Sequence, residues 1–559
     1  MIVQGRTASY ALLALVALAV ILRFVPGGDR PLIAALQLVL ATMVVAVVPG
    51  GLAVLGWRAM PSLGMLEWLA ISIALSFGIV HLITVAMILA HGSVLAVSGA
   101  LVVALGGVGA WLAVRRTRPL SQLSVDVEDV IGLGLLLVLG VFLYIQGSPV
   151  AEWEDQIHVS IVRRMAALPR LTLDNFYLTP GVVYTYPFPS THALMALVTR
   201  LSNLDALFVY HKLRFFWGPA ALLMIYLWAL AVFGRRAVAT AALVTAAILT
   251  LTGMFAVVEG SYWGQLATYS HASDIAMAVL LPALLALSSR YIDSGSTHER
   301  QLLLTGVLLL LFMLTVVHIR EVIQYAAYLG CFLVVAALCV PFRRTLGRTL
   351  TLLGLTFLVV MLYTVMLWQS AGVLHVTDLV QNQRDRVLAI LATTPRLDLF
   401  LAPAWQLFPS FILWIDAAFH GITQVLLLIA PVAIVVFRDR PLVWLIAASG
   451  FAYLVVMSVP AFAVPYILLT YHEILITPIR NITPFLHLLA GPLLYAIASW
   501  LWTAWRPPVA AILGLMGAGI AIGLVGYLAP IAANRTERGF FVPAILAWSS
   551  TFLFLRALG

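Results

Sequence analysis

Lysine is all but missing from this chain: of the 31 basic side chains in its 559 residues, only Lys212 is a lysine. Charge of either sign is scarce, at 9% of residues against 63% hydrophobic, and the mean hydropathy is +1.07. A water-soluble fold of this size has no means of covering so much apolar surface, so the composition predicts a polytopic membrane protein. Cysteine is nearly absent too. Cys331 and Cys339 share one apolar segment, and eight residues of helix would hold them about 12 Å apart, beyond disulfide reach. The chain has no P-loop and no glycine-rich dinucleotide motif, which argues against a cytoplasmic nucleotide as energy source. Internal repeats and low-complexity linkers are missing as well. No small-residue cleavage site follows the first apolar run, Tyr10 to Val25, which therefore reads as a span rather than a signal peptide.

What is present is a series of continuous apolar runs of about 20 residues, the signature of helices rather than of an alternating barrel. Candidate spans lie at 8–25, 31–56, 67–91, 94–114, 129–147, 213–233, 237–258, 268–289, 302–318, 321–340, 349–368, 421–437, 441–459, 482–504, 508–529 and 540–556. The expected fold is all-α, with about 14–16 transmembrane helices and amphipathic interface helices in the first large outer loop. Three parts are expected: a four-span module over 1–120, a core over 121–370, and further membrane helices over 371–559. Arg58, Arg115-Arg116-Arg118, Arg235-Arg236, Arg290 with Arg300, Arg343-Arg344-Arg348, Arg438 with Arg440, and Arg506 all fall on one side if the spans alternate. By the positive-inside rule that side is cytoplasmic. The net charge of +9 thus reads as topology and contact with anionic membrane lipid, not as nucleic-acid binding. The opposite side carries the long loops, near 148–212, 370–420 and 460–481.

The densest chemistry is Glu152-Trp153-Glu154-Asp155-Gln156-Ile157-His158, just beyond the fifth span. Ile157, Ile161, Val162, Met165 and Leu168 fall on one face, predicting an amphipathic helix that ends at Pro169 and carries Arg163 and Arg164. A second such segment, Ser190 to Leu201, has His192 near its start, after the stiff linker Tyr184-Thr185-Tyr186-Pro187-Phe188-Pro189. Helical spacing lets Glu154 and Asp155 share a face with His158. A carboxylate there can act as general base or hold a divalent cation against a phosphate, with Asp155, Glu154 and His158 as the ligand set. The plainer alternative is an acidic first turn that complements the helix dipole, which suits Glu152 best. His192 reads as a packed or interfacial histidine.

Further candidates lie downstream. His318-Ile319-Arg320-Glu321 joins two apolar runs with almost no loop, so Arg320 and Glu321 sit at or inside the boundary, where charges usually line a polar cavity. Arg320 has the planar donors to clamp a phosphate, and a mutual Arg320–Glu321 pair is the alternative. Arg480-Asn481 opens a later span after Tyr471-His472-Glu473, an arrangement suited to an anion or to simple anchoring. Glu259, His271 and Asp274 flank the aromatic turn Ser261-Tyr262-Trp263-Gly264-Gln265, as sugar-binding groups or interface anchors. Arg384 and Arg386 read as a solvated helix face.

An apolar span, the acidic pair Glu154-Asp155, a helix with His158 and Arg163, then Tyr186-Pro187-Phe188-Pro189-Ser190 and a second helix resemble the GT-C superfamily of membrane glycosyltransferases. The resemblance covers roughly 129–340, the rest only by topology. It implies a bacterial plasma-membrane enzyme that moves a sugar from a polyprenyl-phosphate donor to an outer-face acceptor, with no nucleic acid involved. Asp155 or Glu154 would be the catalytic base or metal-binding carboxylate, and Arg320 or Arg480 would bind the donor phosphate. In that family the acidic loop follows the first span, whereas here it follows the fifth. An O-antigen-type ligase or polymerase, or a lipid or sugar transporter, are the alternatives.

Overall fold

The computed structural model describes residues 2–27, 30–57, 62–114, 122–146, 153–171, 188–255, 271–338, 340–371, 442, 443 and 445. The described chain is all-α and polytopic. Nine of its helices are long and apolar enough to cross a membrane, or ten if one bent pair is taken as a single span. In a bilayer each backbone polar group must be satisfied within the segment, so continuous apolar runs fold as helices.

The helices are α1 (Gly5–Arg23), α2 (Pro31–Ala46), α3 (Val48–Gly56), α4 (Met65–Leu89), α5 (Val94–Val114), α6 (Val127–Gln146), α7 (Trp153–Ala167), α8 (Ser190–Ser202), α9 (Ala206–Lys212), α10 (Arg214–Phe233) and α11 (Arg236–Phe255). After them come α12 (Ala272–Asp293), with a π turn at Ala276–Leu280, then α13 (Thr297–Val317), α14 (Ile319–Leu338) and α15 (Leu346–Ala371). The expected span 31–56 is broken. Val47 leaves helical geometry, and α2 and α3 meet at 41°, because Pro49 has no N–H for the preceding turn. The spans expected beyond 371, with the loops near 370–420 and 460–481, lie outside the described residues, apart from Leu442, Val443 and Leu445.

The chain divides into two compact units. The first comprises Met1–Leu227, Thr268–Val322 and Thr351–Val376, and the second Trp228–Ala267, Ile323–Leu350 and Thr377–Gly559. In the second unit, Gln324 Nε2 donates to the Tyr328 hydroxyl at 3.1 Å, one turn along α14.

The packing and the site described next belong to the first unit. Helices α1–α5 belong to it together with α6–α9 and α12–α13. α3 lies so close to α4 that a Cβ on Gly50 would stand 1.9 Å from the Ser72 carbonyl oxygen, and the Gly50 N–H donates to Ser76 Oγ at 2.8 Å. α4 meets α13 in the same way: a Cβ on Gly78 would be 2.4 Å from that of Leu309. Lipid gives no hydrophobic drive between helices, so small residues that allow close approach do that work instead. α1, α5, α6 and α15 present Leu18, Val103, Leu137 and Phe357 outward, each 46% exposed or more, as a lipid-facing surface requires.

The two ends of the unit differ. At one end a short three-stranded sheet, which sequence periodicity did not suggest, joins β1 (Ile2–Val3), β2 (Ser62–Gly64) and β3 (Gln122–Ser124). β3 is central, antiparallel to β1 (Ile2 opposite Ser124) and parallel to β2 (Leu63 opposite Leu123). Beside it, buried Asp129 accepts from Leu66 N at 3.0 Å and Asp126 N at 3.1 Å, capping the starts of α4 and α6. At this same end Arg290 bridges Glu67 and Glu299. All these groups lie on the side that the arginine pattern predicts to be cytoplasmic.

Arg290 ends α12 while Glu67 and Glu299 begin α4 and α13. The start of α12 and the far ends of α4 and α13 therefore stand together at the opposite end. There Leu171 N donates to Gly92 O at 2.9 Å, tying the segment after α7 to the α4–α5 turn.

Candidate functional site

The site is built at that opposite end, around α7. Its apolar residues Val159, Ile161, Val162 and Met165 are buried, and Gln156, Ser160, Arg163 and Arg164 are exposed, so the helix is amphipathic as expected. The buried face also carries Asp155 (1% exposed) and His158 (5%). α8 departs from expectation. The sequence reading lays it along the membrane interface, but the bundle buries every residue except Arg200. Its polar face, which gave the amphipathic pattern, is turned inward because His192 and Ser190 have partners there.

Asp155 Oδ1 accepts from the Tyr210 hydroxyl at 3.0 Å and from His271 Nε2 at 3.2 Å. These partners lie 55 and 116 residues away in sequence and come from α9 and the start of α12. His271 Nδ1 in turn lies 3.8 Å from Asp274 Oδ2, an ionic contact when the imidazole is protonated. Burial acts to raise the Asp155 pKa, but the His271 and Tyr210 hydrogen bonds, together with the nearby charges of His271 and His211, outweigh it and leave the carboxyl below its ordinary value. Asp155 is therefore ionised at neutral pH.

His158 Nδ1 and His192 Nε2 lie 2.8 Å apart, with ring planes 19° from parallel. Burial pushes His158 down to about 4, helped by the positive charge of His271 and opposed by Asp155. Burial likewise holds His192 well below the usual value. Both imidazoles are neutral at pH 7, so a single N–H links them. Two residues before His192, at the start of α8, Ser190 Oγ pairs with His81 Nδ1 of α4 at 2.7 Å. A polar seam thus runs from the Asp155 carboxylate into the bundle.

A second constellation sits at the break between α13 and α14. His318 is extended, and Glu321, fully buried, accepts from His318 Nδ1 and, at 3.0 Å, from Arg320 Nε. Arg320 is 4% exposed, and its Nη2 has no hydrogen-bond partner among the described residues. The mutual Arg320–Glu321 pair exists, yet it leaves part of the guanidinium unused.

The structure thus brings together Asp155, His158, His192, His271 and Asp274 in one place, and His318, Arg320 and Glu321 in another. Arg163 is elsewhere: its guanidinium pairs with Asp205 at 3.1 Å in an exposed contact, of a kind worth about 1 kcal/mol at most. Glu154 follows Trp153 in the first turn of α7. Glu152, Glu259, Glu473 and Arg480 lie outside the described residues, as do the linker 184–187 and the aromatic turn 261–265. Tyr210, His211 and His81 had no place among the sequence candidates, because no local motif links residues so far apart. A cluster of tyrosine, histidine, lysine and arginine at 210–214, opening an otherwise apolar span, was the available signal.

Among the described residues no group of three or more His, Cys, Asp or Glu side chains is arranged to hold a metal ion. His158 Nδ1, which a cation on Asp155 and His158 could use, faces His192 instead. No known protein-family model, curated protein or solved structure matches this chain.

Proposed function

We propose that the protein is a membrane glycosyltransferase of GT-C type, moving a sugar from a polyprenyl-phosphate donor to an acceptor on the outer face of the membrane. The observation that carries the reading is the buried, ionised Asp155, oriented by Tyr210 and His271 at the end of the bundle away from the arginine-rich turns. In the proposed reaction Asp155 takes the proton of an acceptor hydroxyl while that oxygen attacks the anomeric carbon. The bond from that carbon to the phosphate oxygen breaks, and the polyprenyl phosphate leaves with the bonding pair. Arg320, with buried donor capacity to spare, is the candidate among the described residues for stabilising the leaving phosphate. The side of the membrane rests on the arginine distribution, and a bacterial plasma membrane on the resemblance.

The test is sugar transfer from labelled polyprenyl-phosphate donors by purified protein. Loss of transfer in Asp155→Asn, with folding retained, supports the reading. Unchanged transfer by both Asp155→Asn and Glu154→Gln removes it.

A transporter is the second reading, favoured by one observation. His81 is buried inside α4 and bonded to Ser190, and buried ionisable groups in spans commonly mark substrate or proton pathways. Substrate or proton flux in proteoliposomes, without any covalent product, would select it.

A further inference from the structure

Helix α12 is not a regular helix. At its start Ile275 N donates to His271 O, four residues back, as in any α-helix. In the π turn Ala276–Leu280 the reach lengthens, and Leu281 N donates to Ala276 O, five residues back. The sequence supplies a cause in Pro282, which stands just after the turn. Proline has no N–H, and in a regular α-helix its ring would press on the carbonyl four residues earlier, that of Ala278. A wider turn moves that carbonyl away. Every residue from Asp274 to Ser289 is buried, so the turn is enclosed by the bundle rather than loose at its surface. Single π turns of this kind gather at functional sites.

The turn decides which way the start of α12 faces. It takes up one residue more than an α turn, and one residue of α-helix is about 100° of rotation and about 1.5 Å of rise. The half of α12 after the turn is fixed. Arg290 binds Glu67 and Glu299 there, and a Cβ on Gly306 of α13 would stand 2.9 Å from Leu287 Cδ1. The change of register therefore falls on the half before the turn, which holds Asp274 and, as its N-cap, His271. That half is the one that meets the site: His271 Nε2 lies 3.2 Å from Asp155 Oδ1, and His271 Nδ1 3.8 Å from Asp274 Oδ2. If the turn closed into an α-helix with nothing else altered, His271 would swing by about 100° round the axis and leave Asp155.

We propose that Pro282, through the π turn it holds open, is a positioning residue of the Asp155 site: it sets the register of α12 so that His271 reaches the carboxylate. Pro282 acts only through His271. Its consequence for catalysis rests on the transferase reading, in which His271 orients the base, whereas the register itself stands without it.

Cross-linking in the full-length protein reads the register, with Cys331 and Cys339 replaced by serine. A short bifunctional thiol reagent should bridge Asp155→Cys and His271→Cys. Adding Pro282→Ala restores the N–H and removes the ring, so the turn can close, and most of the bridging should be lost. Deleting Ala278 as well takes out the extra residue and returns both halves of α12 to register as a regular helix, so the bridge should come back. A proline substitution that merely destabilised the helix would not be rescued by a second lesion in it. His158→Cys with His192→Cys, between α7 and α8, should be bridged in every background and reports that the bundle is folded. Bridging to His271→Cys that ignores Pro282→Ala, or that the deletion does not restore, overturns the proposal. If Pro282→Ala alone does not fold, the chain carrying both changes decides: bridging there supports the register and its absence overturns it. Sugar transfer by the Pro282 and Ala278 variants, with Asp155 and His271 intact, should fall and recover in parallel. Bridging that follows the register in a protein that transfers no sugar would remove the transferase alone. Asp155-dependent transfer with bridging indifferent to Pro282 would remove this proposal alone.

Discussion

His158 Nδ1 of α7 and His192 Nε2 of α8 stand 2.8 Å apart, and the gap between these two nitrogens takes one proton when both rings are neutral but would have to take two if both were cationic. Folding thus selects the neutral form. His158 drops from the ordinary 6.5 to about 4. The unfolded chain binds the proton first as pH falls, so the stability this pair contributes is complete above pH 6.5 and is lost between there and about 4. At pH 5 the loss from His158 alone is about 2 kcal/mol. Thermal melting in detergent should show a falling Tm from pH 7 to pH 5 in the wild type and a flatter profile in His158→Asn. A Tm that ignores pH over that window contradicts the buried pair.

Tyr210 and Asp155 give a prediction about chemistry rather than stability. The Tyr210 hydroxyl is one of the donors that hold Asp155 ionised against its burial. Tyr210→Phe removes that donor and leaves the ring, so the Asp155 pKa should rise. If Asp155 is the base, the acid limb of the transfer rate moves to higher pH, while the plateau changes much less. A purely structural role for Tyr210 would lower the rate at all pH values and leave the limb in place.

Much of the fold was legible because lipid leaves the backbone few choices. The spans expected at 67–91, 94–114, 302–318 and 321–340 fall within a few residues of α4, α5, α13 and α14. The break in 31–56 was not read, although Val48-Pro49-Gly50 lies in plain view, because hydropathy averages over a proline that removes one hydrogen bond. The three strands were missed since each has only two or three residues, too few for an alternation to register. The site was half legible. Asp155 and His158 declare themselves as polar residues in an apolar chain. Tyr210 does not, and His271 reads from the sequence only as a sugar-binding group or interface anchor, because both become partners of Asp155 only once α9 and the start of α12 are folded against α7. α8 misled for a related reason: an inward polar face and an outward one have the same sequence period.

Close packing at glycine can be tested without reference to function. A Cβ on Gly50 meets backbone at 1.9 Å and one on Gly78 meets Leu309 at 2.4 Å, whereas one on Gly99 meets nothing within 4 Å. Gly50→Ala and Gly78→Ala should each destabilise by about 1–3 kcal/mol or more through overpacking. Gly99→Ala should be neutral or slightly stabilising, since alanine removes freedom from the unfolded chain. Ranking the three by Tm in one detergent decides the matter, and equal Tm values would refute the α3–α4 and α4–α13 contacts.

Arg290 ties the starts of α4 and α13 to the end of α12 through Glu67 and Glu299. Arg290→Ala leaves Glu67, 7% exposed, without its cation. Removing one partner of a buried pair typically costs about 3–5 kcal/mol, and residual exposure of this one should bring the loss nearer 2–3 kcal/mol. Arg290→Ala with Glu67→Gln should recover part of that, because no uncompensated charge remains. Additive losses in the double variant would mean the two side chains are not coupled.

Sidedness is the remaining step from fold to function, and two arginines read it directly. Arg163 is exposed on α7, at the end of the first unit that carries Asp155, and Arg235, between α10 and α11, is one of the arginines that the sequence pattern predicts to be cytoplasmic. With Cys331 and Cys339 replaced by serine, Arg163→Cys and Arg235→Cys each present a single thiol. An impermeant maleimide added to intact cells should modify Arg163→Cys and leave Arg235→Cys untouched until the membrane is permeabilised. The opposite pattern would put Asp155 on the cytoplasmic side. An outer-face acceptor would then be out of its reach, and the proposed transfer would fail even with every hydrogen bond of the cluster intact.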